Sequence, residues 1–429
     1  MLFLKKVLEL ISASIFFYPM VASIAWIVGG TYYRWFYTGR IKQFKRMAKE
    51  DEPMISILIP AHNEELVIED TINYMFTELD YHNFEVLVCD DGSTDTTPLI
   101  LQRLMVKYPR LRCVRITANK GKAHAFNIGA SFAKGEFILS NDADIMPERD
   151  ALWKYMNYFI GEKHQNTGAV TVNMTVQNRT LLIEKSQTVE FSSISGLIKR
   201  TQIAVLGAIY AYSGANTMYR KDALYDVGMF RQDRATEDIS IAWDQQFQGW
   251  QAVYTPDIIA YMNVPTSVNE LYKQRKRWAK GGTESWITNF LRITRHPLRY
   301  FSKVVLLFDQ TLSILWAFYF IIGTITMLIK FILDILTENY YYLNVNLDRF
   351  FIFYSFVCVV GVLQLLASLI LENHESRLKY IFFSPLYLLW YWIVAPITVI
   401  TSFPSAVIEL IKGESTGTWV SPERTKMRK

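Results

Sequence analysis

From Ile11 to Tyr33 the chain carries no charged side chain, long enough to cross a bilayer core as a helix. Three further apolar stretches lie near 304–329, 351–371 and 381–408, with Asp309 inside the first of them. A buried core helix explains the first two poorly, because each continues for about twenty residues without a break in apolarity. The third contains Pro385, Pro396 and Pro404, which predicts a kinked span or a re-entrant or interfacial segment. Arg34, Arg40, Lys42, Lys45 and Arg46 follow the first run, so the positive-inside rule places what comes next in the cytosol. One span before and three after would leave the tail outside. One and two, with an interfacial piece, would leave Arg424, Lys426, Arg428 and Lys429 inside, the arrangement their charge favours.

Between these runs the pattern changes. Met54 to Pro60 and Phe84 to Cys89 are short apolar runs, as are Arg112 to Ile116 and Glu136 to Ser140; each reads as a buried strand. Helical spacing separates them, beginning with Glu64 to Phe76. Strands alternating with helices predict an α/β domain with a mostly parallel sheet, whose ligands bind beyond the carboxyl ends of the strands. Polar groups fall at those ends: His62-Asn-Glu64, Asp90-Asp91, Asn119-Lys-Gly-Lys122 and Asn141-Asp-Ala-Asp144. Any one of them suits an Asx turn or a helix cap. Four in succession at one edge point to a nucleotide-type site. The chain has neither a G-x-x-x-x-G-K-[ST] loop nor a G-x-G-x-x-G turn, so ATPase and dinucleotide readings lose their main support.

Composition agrees with a mixed membrane and soluble chain: 51% hydrophobic and 15% aromatic, yet 20% charged. A net charge of +5, with no long basic run or zinc-finger spacing, gives no reason to expect nucleic acid. Cys89, Cys113 and Cys358 cannot all pair, and the first two lie in apolar runs that suit buried thiols in a reducing compartment. The first apolar run is too long for a cleavable signal peptide and lacks a small-residue cleavage site.

Two carboxylates one residue apart, Asp142 and Asp144, can ligate a divalent ion and hydrogen-bond a sugar. Thr236-Glu-Asp238 heads a helix pattern in which Ile239, Trp243 and Phe247 recur every four residues. Thr236 is suited to N-capping it, and acids in a first turn are favourable by themselves. On its own the pair fits a helix start as well as a catalytic base. Gln274-Arg-Lys-Arg-Trp278 reads as part of an amphipathic helix at the membrane surface, which taken alone suits an interface anchor, although its arginines and Trp also suit phosphate and sugar.

The ordered set His62-Asn-Glu64, Asp90-Asp-Gly-Ser-Thr-Asp95, Lys120-Gly-Lys-Ala-His-Ala-Phe-Asn127, Asp142-Ala-Asp144, Thr236-Glu-Asp238 and Gln274–Trp278 resembles the inverting, processive membrane glycosyltransferases of family 2. These include the cellulose, hyaluronan, chitin and poly-β-1,6-N-acetylglucosamine synthases. The likeness is nearest to the last branch, through Trp26–Gly30, Gly168–Thr171, Val189–Gln202, Leu271–Gly282 and Trp419–Arg424. One stretch departs from it: where that branch reads Gly-Asn-Pro-Arg-Ile-Arg, this chain has Val172-Asn-Met-Thr-Val-Gln177.

The resemblance implies a GT-A-type domain inserted between transmembrane helices. Its expected parts are a span and basic linker (1–50), a catalytic domain (51–265), interface helices (266–300), a channel region (301–410) and a basic tail (411–429). It implies a bacterial plasma-membrane enzyme, its catalytic domain cytosolic, that builds and exports a β-linked polymer from UDP-N-acetylglucosamine with Mg²⁺ or Mn²⁺. Membrane lipid, and a small membrane partner to complete a short channel, belong to the same expectation. By resemblance Glu64 and an aspartate of Asp90-Asp91 contact uridine, Lys122 and Arg277 the diphosphate, and Asp144 the metal, with Asp142 on donor sugar or metal. Asp238 is the expected base, with Glu237 beside it; inversion needs one carboxylate to take the acceptor's proton, and no carboxylate nucleophile. Ser213, Gly214, Gln274 and Trp278 are expected on the acceptor side, and Trp419 to Arg424 over the nucleotide. A transferase adding one sugar to a lipid or polyprenyl phosphate shares the nucleotide motifs, as does a synthase using another UDP-sugar.

Overall fold

The computed structural model describes residues 2–37, 44–372 and 377–413. The first apolar run forms α1 (Leu2–Phe36), longer at both ends than the uncharged stretch itself. β1 (Ile55–Ala61) follows and is buried at every position. Its apolar run conceals a period of two: Ile57 and Ile59 join a core with Ile68, Ile72 and Met75, whereas Leu58 joins another with Ala125, Phe126 and Ala130. Helices therefore cover both faces of the sheet, as parallel strands require. They are α2 (Ile68–Glu78), α3 (Thr97–Lys107) and α4 (Lys122–Phe132), which lead into β2 (Phe84–Asp91), β3 (Leu111–Ile116) and β4 (Phe137–Asn141).

The second half is less regular. β5 (Met146–Pro147), α5 (Ala151–Met156) and β6 (Thr167–Val176) precede a helical run containing two π-helical stretches. In that run α6 (Leu182–Phe191) leads into the π stretch Ser192–Ile198, then α7 (Lys199–Thr201), then the π stretch Gln202–Leu206. β7 (Asn216–Arg220), α8 (Lys221–Asp226), α9 (Glu237–Gln248) and β8 (Gln251–Met262) complete the domain. The sheet order is β3-β2-β1-β4-β7-β6-β8-β5. β1 to β4 pair in parallel, as do β6 and β8, while β7 runs antiparallel between β4 and β6. The sheet is thus mixed, with its parallel half carrying the polar edge.

After β8, Ser267 caps α10 (Val268–Arg295) by accepting the Glu270 N–H. α11 (Phe301–Leu336), α12 (Tyr340–Glu372) and α13 (Ser384–Lys412) follow. With α1, they make four helices long and apolar enough to cross a membrane among the described residues. Pro396 and Pro404 lie inside α13 without ending it. α13 runs beside α10: Tyr272 meets Thr401 and Lys280 pairs with Glu409, an equal step along both helices. It crosses α11 instead. Trp316 meets Trp392 at 4.8 Å and Phe318 meets Phe403 at 5.5 Å, a step of two residues (316 to 318) on α11 against eleven (392 to 403) on α13.

A buried polar hub fastens the C-terminal end of α12 to the sheet. Arg377 pairs with Glu372 and donates to the Thr175 hydroxyl at 3.0 Å, and Asn173 donates to the Glu372 carboxylate at 3.0 Å. The Leu371 carbonyl accepts from Arg34 and Arg200. Glu372 and Arg377 are 3% and 4% exposed, so losing either partner would strand a buried charge at a cost of about 3–5 kcal/mol. Asn173 and Thr175 belong to the stretch that departs from the resembled branch. An arginine reaches that stretch here from the far end of the chain.

Candidate active site

The loops after β1 and β2 are stitched into one platform. Asn63, at φ 56, accepts the Thr94 N–H at 2.8 Å through its side-chain oxygen and gives its own N–H to Ser93. The Glu64 N–H donates to the Thr97 hydroxyl at 2.9 Å, and Glu64 is fully buried. Asp90 accepts the Ser93 N–H at 2.9 Å and faces Arg115 at 3.8 Å. Asp91 accepts from the backbone of Lys120 and of Gly121, the latter at 2.8 Å. Asp91 therefore braces the loop that presents Lys122, a structural duty that its local sequence does not reveal.

Lys122 opens α4 and sits at the centre of the site. Its ammonium lies 2.7 Å from Asp142 and 3.1 Å from Glu237, and it donates to the Gly214 carbonyl at 3.1 Å. Burial works against that charge, but Asp142 and Glu237 outweigh it and raise the pKa of the lysine. The same Gly214 carbonyl accepts the Ser140 hydroxyl at 3.2 Å. Lys122 thus ties the end of β4 to the start of α9 through the Ser213–Gly214 turn.

Asp238 is half-buried in the first turn of α9 and accepts the Gly214 N–H at 3.1 Å. A Cβ on Gly214 would stand 3.0–3.1 Å from that carboxylate, so a side chain there would displace it. Burial pushes the Asp238 carboxyl up to about 6; the Glu237 charge adds to this, while Lys122, Arg277 and Lys199 oppose it. Glu237 goes the other way: burial would raise it, but Lys122 and Arg277 hold it below the usual carboxylate range. Two adjacent acids are thereby separated into a lasting anion and a group poised near neutrality, a pattern that marks acid–base assignments. Thr236 occupies the N-cap position, but its side chain makes no capping hydrogen bond. Its side chain instead fills the space beside Gly281 of α10, where a Cβ would lie 1.9 Å from the hydroxyl oxygen. That close approach docks α10 on α9.

On α10, Arg277 is exposed and its guanidinium reaches the Ala235 carbonyl at 3.5 Å. Trp278 packs edge-on against Phe191, with the Arg275 guanidinium 4.2 Å from its ring centroid. Arg275 is held by Glu190 through two bonds of 2.8 and 3.0 Å and also donates to Gln274. Trp278 is therefore a braced, half-buried ring rather than a loose membrane anchor. Trp419 and Arg424 lie outside the described residues.

Between the site and the membrane helices is a cavity of about 360 Å³. Ser193, Gln202 and Tyr210 of the α/β domain line it, with Tyr18, Asp309, Gln310, Trp316, Gln364 and Trp392 from the long apolar helices. Ser23 donates to Gln364, which donates to Ser193 at 3.0 Å, and Tyr18 donates to Asp309 at 3.0 Å. Ser140, Lys199 and Tyr210, which carry no local motif, join the site only through contacts between distant elements. Among the described residues no three His, Cys, Asp or Glu side chains form a metal-binding group. Asp142 and Asp144 stand one residue apart at the end of β4, Asp142 half-buried and Asp144 buried. Two carboxylates suit a divalent ion that takes its remaining ligands from a diphosphate and water.

Comparison with known proteins agrees with this edge. Residues 56–228 match the model of glycosyl transferase family 2. The chain is 31% identical over 422 residues to a poly-beta-1,6-N-acetyl-D-glucosamine synthase of Staphylococcus epidermidis, covering 96% of this chain and 98% of that protein. A synthase of the same name from Staphylococcus aureus (strain COL) is 30% identical over 95% of this chain and 97% of its own. In fold, the chain resembles the mannosyltransferase PcManGT of Pyrobaculum calidifontis, solved with GDP-Man and Mn²⁺. The TM-score is 0.54 at 19% identity, over 83% of this chain and 99% of that one. A full-length match at this identity, on top of an α/β domain with its polar edge and four apolar helices, settles the family: the chain belongs to glycosyltransferase family 2, among the poly-beta-1,6-N-acetyl-D-glucosamine synthases.

Proposed function

We propose that the chain transfers N-acetylglucosamine from UDP-N-acetylglucosamine to the end of a growing β-1,6-linked polymer, with inversion, and passes the product into the membrane region. The observation that carries this reading is Asp238, a carboxyl that burial raises to about 6, which accepts the Gly214 N–H at 3.1 Å and feels the charge of the clustered Lys122. Asp238 takes the proton of the acceptor hydroxyl as that oxygen bonds to the anomeric carbon and the bond to UDP breaks on the opposite face. Glu64 and Asp90 bind on the uridine side, where Asp90 already faces Arg115. Lys122 and Arg277 offset the charge that develops on the leaving diphosphate, and arginine forks suit its oxygens. Asp144, with Asp142, would hold Mg²⁺ or Mn²⁺, which when bound neutralises the diphosphate. Trp278 offers an aromatic face to the acceptor, and the cavity behind Tyr210 is within the usual size of ligand sites.

Membranes containing the protein, given radiolabelled UDP-N-acetylglucosamine, are expected to form a β-1,6-linked polymer of high molecular weight, with UDP released and synthesis abolished by EDTA. A labelled product that stops at one sugar on a lipid, or a preference for another UDP-sugar, would overturn the reading.

The membrane arrangement that best accounts for α13 is a helix lying along the cytosolic surface with α10, while α1, α11 and α12 cross. Its crossing of α11 and its alignment with α10 support this, and it keeps the basic tail in the cytosol of a bacterial cell. A reporter enzyme active only in the cytosol, fused after Lys429, is then expected to be active. Activity instead from a periplasm-specific reporter there would show that α13 spans.

A further inference from the structure

Close to Asp238 lies a charged group that the mechanism above leaves unused. Lys199 stands between the π-helical stretches Ser192–Ile198 and Gln202–Leu206, and π turns within helices are frequent at functional sites. Its side chain is buried, with 8% exposure. A buried ammonium ordinarily meets a carboxylate, but this one donates to the Ser213 hydroxyl at 2.8 Å. Ser213 is held in turn by the Thr171 hydroxyl, which accepts its N–H at 2.8 Å. The next residue, Gly214, gives its N–H to Asp238. A chain of contacts therefore runs from Lys199 through one turn to the candidate base.

The charged and titratable groups acting on Asp238 come from each element around it. Glu237 lies on its own helix, Lys122 on α4, Arg277 on α10 and Lys199 on α7, with the phenols of Tyr210 and Tyr219 nearby. Lys122 is engaged by Asp142 and Glu237, and Arg277 is exposed to solvent. Lys199 is the buried cation among them whose hydrogen bond goes to a hydroxyl. We propose that Lys199 is a positioning residue for the transfer: it braces the Ser213–Gly214 turn against Asp238 and supplies the buried positive charge that keeps that carboxylate ready for the acceptor's proton. The inference rests on reading Asp238 as the base.

Burial lowers the pKa of Lys199 to about 8, opposed by the charge on Asp238. The lysine is charged below that pH and loses its charge as pH rises through it. Asp238 is ionised above about 6. Both are charged between those limits, so activity should fall on either side of the window.

The test is the pH profile of kcat and KM for the full-length enzyme with Lys199→Met and Lys199→Arg. Lys199→Met is expected to lower kcat about ten-fold at neutral pH, leave the donor KM unchanged, raise the acidic limb by about one pH unit and abolish the alkaline limb. Lys199→Arg should restore most of the rate and move the alkaline limb beyond about pH 10, since arginine stays charged. A Lys199→Met profile with both limbs in place would overturn the proposal, even if the rate fell, because a merely structural role would lower the rate without moving them. If Lys199→Met does not accumulate, Lys199→Arg decides: an alkaline limb that stays near 8 rejects the assignment. An active Asp238→Asn enzyme would sink the base itself, whereas an inactive one beside an unaltered Lys199→Met profile would sink only this inference.

Discussion

Asp238→Asn is expected to reduce polymer synthesis by about 10²- to 10⁴-fold while leaving UDP binding intact. The range is what a positioned general base contributes. The amide is a near-isostere whose oxygen can still accept the Gly214 N–H, so the turn and the helix start should persist. It cannot take a proton from the acceptor. The wild-type rate should fall as pH drops through about 6, because burial has raised the carboxyl to that value and the protonated form is inactive as a base. Above that pH the base is ionised and this limb is flat. The Asn variant should lose the limb altogether. UDP release followed across pH 5–9, with UDP binding measured separately, checks both parts. Turnover within about three-fold of wild type would end the assignment, since it lies far below what a base supplies.

Lys122→Met should have an effect of similar size by a different route. The ammonium is shared by Asp142, Glu237 and the Gly214 carbonyl, so its loss leaves two carboxylates facing each other with little solvent. Removing one member of such a cluster costs about 3–5 kcal/mol, visible as a lower unfolding temperature of the solubilised enzyme. Donor binding should weaken roughly 10- to 100-fold, the worth of a charge-assisted contact to a diphosphate. Lys122→Arg should recover part of the stability and less of the activity, because a planar fork does not replace a compact ammonium between three oxygens. Titration of the variants with UDP is the measurement, and unchanged affinity in Lys122→Met would remove the residue from the donor site.

The parallel half of the fold is readable in the chain because its strands are short apolar runs ending at turn residues. β1 and β2 emerge close to their expected limits, and both carry their polar residues to the same edge. The apolar helices are longer than the uncharged runs that reveal them, since polar residues such as Tyr340 and Glu372 extend each end past the hydrophobic stretch. Local pattern fails where a residue's duty depends on a distant neighbour. Thr236 has the chemistry of a cap, but Gly281 draws its side chain away. Asp91 looks like its neighbour Asp90 in sequence, yet its carboxylate is taken by the Lys120 and Gly121 amides. Lys199 stands beside Arg200-Thr-Gln202, as a surface lysine would, and gives no sign of its burial until the Ser213 turn meets it. The antiparallel insertion of β7 between β4 and β6 is equally silent, because β7 alone reads as another short strand.

The hub at Glu372 and Arg377 bears on the order in which the chain is made. Asn173 and Thr175 find their partners 199 and 202 residues downstream. At ordinary synthesis rates β6 waits roughly 10–40 s for them to emerge. In the topology proposed above, α11 and α12 cross the bilayer as a hairpin during that interval, which returns the Glu372 end to the side where the sheet stands. The same strand carries Thr171, which anchors the Ser213 turn beside the proposed base Asp238. On that topology, the polar contacts of β6 close only after the hairpin has inserted, so insertion becomes a condition for completing the second half of the sheet.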